Sequence, residues 1–284
     1  MIVLIRGLSR IPLKYLYRVS DFLFLLTFYV FGYRKKVVLQ NLRKSFPEKT
    51  EKEIRQIARG FYLNLCDIVV ESISTYSIAR EELSQRVRVS NPEVMRHYLE
   101  RGQSVLLCGA HQCNWEWVSV GCAIHLGKPM DPLYKPLKNK KANDFMLYMR
   151  SRLGQRPIPI GNTLKEMRNR RNEVCIFGFA ADQAPPTNEP MYWTNFLNQD
   201  TGFYVGIEKT AYLLKYPVVF SLLKRIKRGY YELSFETISE PPYEKDSHQI
   251  IERYIQITEQ QILDAPSDWL WSHKRWKRPR VKED

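Results

Sequence analysis

The sequence predicts an α/β domain built on a mixed, mostly parallel sheet with helices on both faces, preceded by a membrane-associating helical segment. From about residue 103 onward, strand-like and helix-like segments alternate, the pattern of layered α/β architecture. Two of the strand-like segments, SVLLCGA (104–110) and EVCIFGFAA (173–181), are continuous apolar runs, as expected of strands covered on both faces. Nearer the start, residues 19–33 are apolar except for Asp21 and lie between basic flanks.

Taken in order, Arg6, Arg10, Lys14 and Arg18 precede that apolar run, and Arg34, Lys35 and Lys36 follow it. As a helix the run would rise roughly 22 Å, short of a hydrocarbon core of about 30 Å. It reads as an interfacial anchor or a marginal span, with a buried core helix as the alternative. No A-x-A-like cleavage site follows, so a removable signal peptide is not expected. The chain therefore divides into an N-terminal segment, 1–36, and a main domain, 37–284. Residues 37–46 and 50–78 read as helices, the second opened by a capping box of Thr50 and Glu53. A strand at 104–110, a helix from Asn114, a strand at 130–134 and a helix at 139–153 come next. They are followed by an extended 156–160, a basic helix at 162–171 and the strand at 173–181. A helix at 204–215, strands at 217–223 and 230–237 and a helix at 247–264 complete the pattern.

Composition narrows the function. An apolar share of 44% in 284 residues excludes both a disordered chain and a polytopic membrane protein. The net charge of +14 attracts polyanions, whether nucleic acid, an acidic lipid leaflet or an acidic carrier protein. Binding to single-stranded nucleic acid through aromatic stacking is disfavoured by the apolar N-terminal run and by the lack of an RNA-binding motif. The five cysteines (Cys66, Cys108, Cys113, Cys122 and Cys175) show neither CxxC nor metal-ligand spacing. Four of them sit in apolar runs, where a free thiol behaves as a small hydrophobe; this favours a reducing cytosol, with no metal site expected. A GxxxxGK[ST] loop, GxGxxG, GxSxG and HExxH are all absent.

What remains is Gly109-Ala110-His111-Gln112-Cys113-Asn114-Trp115-Glu116. His111 follows the end of a predicted buried strand, where ligand sites form in open α/β sheets, and Asn114 suits the N-cap of the next helix. With His111 in the turn and Glu116 in the first helical turn, the carboxylate can fold back and hold one imidazole nitrogen as N–H. The other nitrogen then accepts a proton from a hydroxyl. By chance alone, five histidines give about half a match to this spacing, so the neighbouring blocks carry more weight.

Those blocks resemble a known family. The stretch is similar to the H-x4-D/E motif of the glycerolipid acyltransferase superfamily, and closer to the H-x-x-N-W-E/D form in late acyltransferases of lipid A biosynthesis. The likeness continues through NLRKSFPEKTEKEIRQIARGFYLNL (41–65), Tyr134-Lys135-Pro136-Leu137-Lys138-Asn139, Ala181-Asp182-Gln183, the Phe196-Leu197 to Thr201-Gly202 segment leading to Lys209, and Trp269-Leu270-Trp271-Ser272-His273-Lys274-Arg275-Trp276-Lys277. The blocks fall in family order across about residues 36–278. Departures are Lys135 for the usual Arg, Asn198 where a glycine usually follows, and Gln112-Cys113 where Phe-Gly often lies.

The resemblance implies transfer of an acyl chain from a thioester, usually on acyl carrier protein and otherwise on coenzyme A, to a lipid hydroxyl. A lipid A precursor is the expected acceptor, with an amino-acid lipid or lysophospholipid as alternatives, and the family also includes the prospect of a non-catalytic lipid-binding relative. His111 and Glu116 would be the catalytic pair, with Asn114, Lys135, Asp182, Gln183 and Lys209 as substrate-binding residues; a loop or helix cap is the other role for Asp182. No cofactor is implied beyond the acyl thioester co-substrate. Cys113 as a nucleophile is disfavoured by its packing neighbours. Expected partners are anionic membrane lipid and an acidic carrier protein rather than nucleic acid, at the cytoplasmic face of a bacterial inner membrane. Candidate contacts are Lys165, Arg168, Arg170 and Arg171, and the basic run at 274–280.

Overall fold

The computed structural model describes residues 2–185, 190–278 and 280. Helices α1 (Ile2–Ser9) and α2 (Leu13–Leu25), extended by a π-helical turn (Leu26–Val30), lead into α3 (Lys35–Ser45) and the long α4 (Glu51–Ser74). Then come α5 (Arg80–Arg86), β1 (Val87–Val89), α6 (Glu93–Leu99), β2 (Val105–Gly109), α7 (Trp115–Leu126), β3 (Met130–Tyr134), α8 (Lys140–Ser151), β4 (Ile158–Pro159), α9 (Thr163–Asn169) and β5 (Ile176–Ala180). The hairpin β6 (Met191–Phe196) and β7 (Gln199–Tyr204) precedes α10 (Gly206–Leu214), β8 (Val218–Lys227), β9 (Tyr230–Ser239), α11 (Gln249–Asp264) and a 3-10 turn (Pro266–Asp268).

The main sheet has the strand order β1-β9-β8-β2-β5-β3-β4. β8, β2, β5, β3 and β4 run parallel, while β9 pairs antiparallel with β8 and carries β1 parallel to itself. The sheet is thus mixed and mostly parallel, as expected. Alternation along the central strands sends Leu106, Cys108, Phe177, Val218 and Phe220 to one face. Val105, Leu107, Ile176 and Val219 go to the other. Each face has its own core, one against α3, α10 and α11, the other against α6 and α7, which is why the central strands read as unbroken apolar runs.

The capping box at α4 forms as expected: Thr50 accepts from the Glu53 N–H, and the Glu53 carboxylate accepts from the Thr50 N–H at 2.8 Å. Other boundaries moved. α4 stops at Ser74 rather than 78, only Ile158 and Pro159 of the extended 156–160 pair as strand, and 204 ends a strand instead of starting a helix. Elements α5, β1, α6 and the β6–β7 hairpin had no counterpart in the sequence reading; they are short and lack a clear period. The hairpin turns on Leu197 and Asn198, both with positive φ (50° and 59°), so Asn198 sits in the left-handed conformation a glycine would otherwise supply.

Residues 19–33 do not form one apolar helix. They pass through α2 and the π turn, and one side packs on α4 through Ser20, Phe24 and Phe28. Among the described residues no helix is long and apolar enough to cross a membrane. The opposite side of the segment nonetheless exposes Phe22, Leu25, Tyr29, Val30, Phe31 and Tyr33.

Candidate functional site

The register of two neighbouring strands builds the centre of the site. β2 and β5 are parallel and pair Gly109 with Ala180 at their carboxyl ends. Each strand is followed two residues later by a polar side chain, so His111 and Asp182 emerge side by side. His111 Nδ1 lies 2.7 Å from Asp182 Oδ1, and the His111 backbone N–H donates to Oδ2 at 2.9 Å. With Nδ1 bearing the proton toward the carboxylate, Nε2 is left as the acceptor. The Gln183 side-chain amide reaches it at 3.1 Å.

Electrostatics follow from that geometry. Burial pulls the His111 pKa down, but the charge and hydrogen bond of Asp182 outweigh it and leave the ring above the ordinary imidazole value. For Asp182, burial pushes upward and the His111 contacts and the Trp269 indole push harder the other way, down to about 2.

Sequence-distant segments fix both members. Trp269 Nε1 donates to Asp182 Oδ2 at 2.9 Å. The same segment pairs with the His111 turn: Gln112 bridges Trp269, Leu270 N–H donates to His111 O, and Cys113 N–H donates to Asp268 O. Tyr254, on α11, donates its hydroxyl to Gly109 O and accepts from the Ala181 N–H, stapling the ends of β2 and β5 together. His273 Nε2 accepts from the Ala184 N–H. Burial and neighbouring groups hold its pKa down to about 4, so the ring is neutral and free to accept. Further along, Arg275 donates to Gly202 O and Trp276 to Thr201 Oγ1. These bonds join the last block of the resemblance to the Thr201-Gly202 block.

Two expectations need correction. Glu116 does not hold the imidazole: its carboxylate takes a two-pronged bond from Arg150, at 2.9 and 2.6 Å. In the first turn of α7 its side chain points toward α8, while the register of the sheet has already delivered Asp182 to Nδ1. Glu116 still lines the pocket beside His111 and favours a positive ring there. Asn114, expected to touch substrate, is fully buried. Its Oδ1 caps α7 by accepting from Trp117 N–H, and its Nδ2 donates to Glu71 at 2.6 Å. Arg150 was missed by the sequence reading, and Trp269, which stands in the last block of the resemblance, had no hydrogen bond to Asp182 assigned to it. The signal for Asp182 as the partner was available: two apolar runs, each followed at the same offset by a polar residue.

His111 lines two spaces. One, of about 140 Å³, is lined by apolar Leu107, Val118, Met130 and Leu223 together with Glu116 and Arg150. The other, of about 640 Å³, is lined by Tyr134, Lys135, Lys165, Gln183 and Lys209 together with apolar Met146 and Leu164. Lys135, Gln183 and Lys209 therefore border the same cleft as His111, and so does Lys165; Arg168, Arg170 and Arg171 lie outside its lining, and Arg170 pairs with Asp131 and Glu166. In the basic run 274–280, residue 279 is outside the described residues.

Cys113 does not line either space. It is buried, and burial together with Asp268 pushes its thiol pKa well up, which disfavours the nucleophilic thiolate. Its φ of 48° explains why glycine suits this position. Cys113→Gly should keep the turn and its chemistry, whereas Cys113→Val should cost about 1–3 kcal/mol of stability through backbone strain; thermal melts of the two variants check this.

Comparison with curated proteins found no match for the chain. The profile described as bacterial lipid A biosynthesis acyltransferase matches residues 1–278, a span that holds the whole sheet, the His111 turn and the Trp269 segment. The chain therefore belongs to the bacterial lipid A biosynthesis acyltransferase family.

Proposed function

We propose that the protein transfers a fatty acyl chain from an acyl thioester to a hydroxyl of a lipid A precursor, with His111 as the general base. The observation that carries this reading is Nδ1 of His111 tied to a buried carboxylate while Nε2 faces the cleft. Gln183 swings aside to admit the acceptor, and the hydroxyl proton passes to Nε2 as its oxygen attacks the thioester carbonyl. The carbon–sulfur bond then breaks, and the imidazolium returns the proton to the leaving thiolate. Asp182 holds the tautomer and steadies the imidazolium. Glu116, held by Arg150, adds negative potential beside the ring.

Lys135, Lys165 and Lys209 at the cleft rim suit a phosphorylated acceptor, and Arg168 of α9 with Arg171 just after it suits an acidic acyl carrier protein. The exposed aromatic side of α2 and the π turn, beside Arg34, Lys35 and Lys36, suits seating on an anionic leaflet, at the cytoplasmic face of the inner membrane.

Lipid mass spectrometry of cells with and without the gene tests the reading. The expected result is one lipid class short of one acyl chain, and an unchanged lipid profile would count against the transfer. The roles of the two acids separate in a second comparison: Glu116→Gln is expected to lower turnover by less than Asp182→Asn, measured as rates of acyl transfer by the purified variants. The reverse order would return the orienting role to Glu116.

A further inference from the structure

Away from the cleft, Glu71, in the last turn of α4, is wholly buried. Burying a carboxylate in that place costs several kcal/mol unless its oxygens are fully bonded. Here three donors from three different elements converge on it. Tyr17 of α2 donates to Oε1 at 2.8 Å, Asn114 at the start of α7 donates to Oε2 at 2.6 Å, and Tyr231 of β9 donates to Oε2 at 2.8 Å. Gly229 leaves room for the Tyr17 phenol, since a Cβ there would collide with its hydroxyl. At the C-cap of α4, Thr75 Oγ1 accepts from the Trp117 indole at 2.9 Å. The first turn of α7 is therefore pinned to α4 at both Asn114 and Trp117. Between those pins stand Trp115, whose ring meets the His111 ring edge-on at 5.3 Å, and Glu116.

An apolar side chain would fill this space without the cost of desolvating a charge. What the carboxylate supplies is direction: it fixes where the α7 turn begins relative to α2 and the sheet.

We propose that Glu71 is a positioning residue for the reacting centre. It acts through Asn114 on the turn that carries Trp115 and Glu116 beside His111, and through Tyr17 it ties that turn to α2, the helix with the exposed apolar side. The turnover half of this proposal rests on the acyl-transfer reading; the structural half does not.

The test uses the full chain in detergent micelles with 15N-labelled histidine. The His111 ring nitrogens are assigned by their loss in His111→Asn. In Glu71→Gln, which keeps the shape but puts an amide N–H₂ among the donors, the His111 signals should shift while those of His97 and His125 stay in place. Turnover from a long-chain acyl-carrier thioester should fall about ten- to a hundredfold with KM little changed, the mark of a misplaced reacting group. A folded Glu71→Gln protein whose His111 signals overlay the parent's would overturn the proposal. Should that variant not fold, Tyr17→Phe decides, because it leaves two of the three donors in place. A smaller shift of His111 in the same sense supports the tie, and no shift overturns it. A parent protein with no acyl transfer would sink the transferase reading alone, leaving the His111 signals to decide the positioning role.

Discussion

Replacing His111 with alanine is expected to lower the turnover of acyl transfer by about 10²–10⁴-fold, the usual contribution of a positioned general base. Its two described neighbours at the cleft do not replace it. Gln183, its neighbour on the cleft side, has no basic nitrogen, and His273 spends its Nε2 on the Ala184 N–H. The fold should survive, because the backbone of residue 111 still donates to Asp182 and accepts from Leu270. Transfer assays beside thermal melts check both halves. Near-parental turnover in a folded variant would remove His111 from the chemistry.

Asp182→Asn is expected to be almost as damaging, by up to about 10⁴-fold, for a reason rooted in tautomers. The Asn carbonyl can still accept from Trp269 Nε1 and the His111 N–H. Its amide N–H₂ then faces Nδ1 and turns that nitrogen into an acceptor. The ring proton moves to Nε2, where it meets the substrate hydroxyl with a donor instead of a lone pair. Residual activity should also show an altered pH profile. Asp182 holds the His111 pKa above its ordinary value, so the parent loses activity as pH falls through that raised pKa. Removing the negative charge lowers the pKa and moves the acid limb to lower pH. Stability has its own sign. A carboxyl depressed to about 2 contributes stability that is present above the ordinary Asp range and lost as pH falls toward 2. Thermal melts of the Asn variant should therefore depend less on acid than those of the parent.

The sequence was most legible where local chemistry and tertiary environment agree. Central strands β2 and β5 are covered on both faces and show as apolar runs. Thr50 and Asn114 are caps whose capping bonds lie within their own helices. The β6–β7 hairpin escaped because its turn uses Leu197 and Asn198 rather than a glycine pair, and α5, β1 and α6 are too short to show a period. At the site, proximity in sequence misled. Glu116 is five residues from His111 yet belongs to Arg150, while Asp182 lies 71 positions away and makes the bond. Strand register, which a linear reading of single segments does not supply, decides between them.

The strand-like pairing of Gln112 with Trp269 and the indole bond to Asp182 have a consequence for biosynthesis. A ribosome delivers 105–182 long before 269, so a growing chain can lay β2 beside β5 while its carboxylate still lacks the indole that fixes it. Competence for chemistry would then be switched on late, when residues 268–276 leave the exit tunnel and dock. A polypeptide stalled or cut before that point would be an inert product, not a thioester-wasting one.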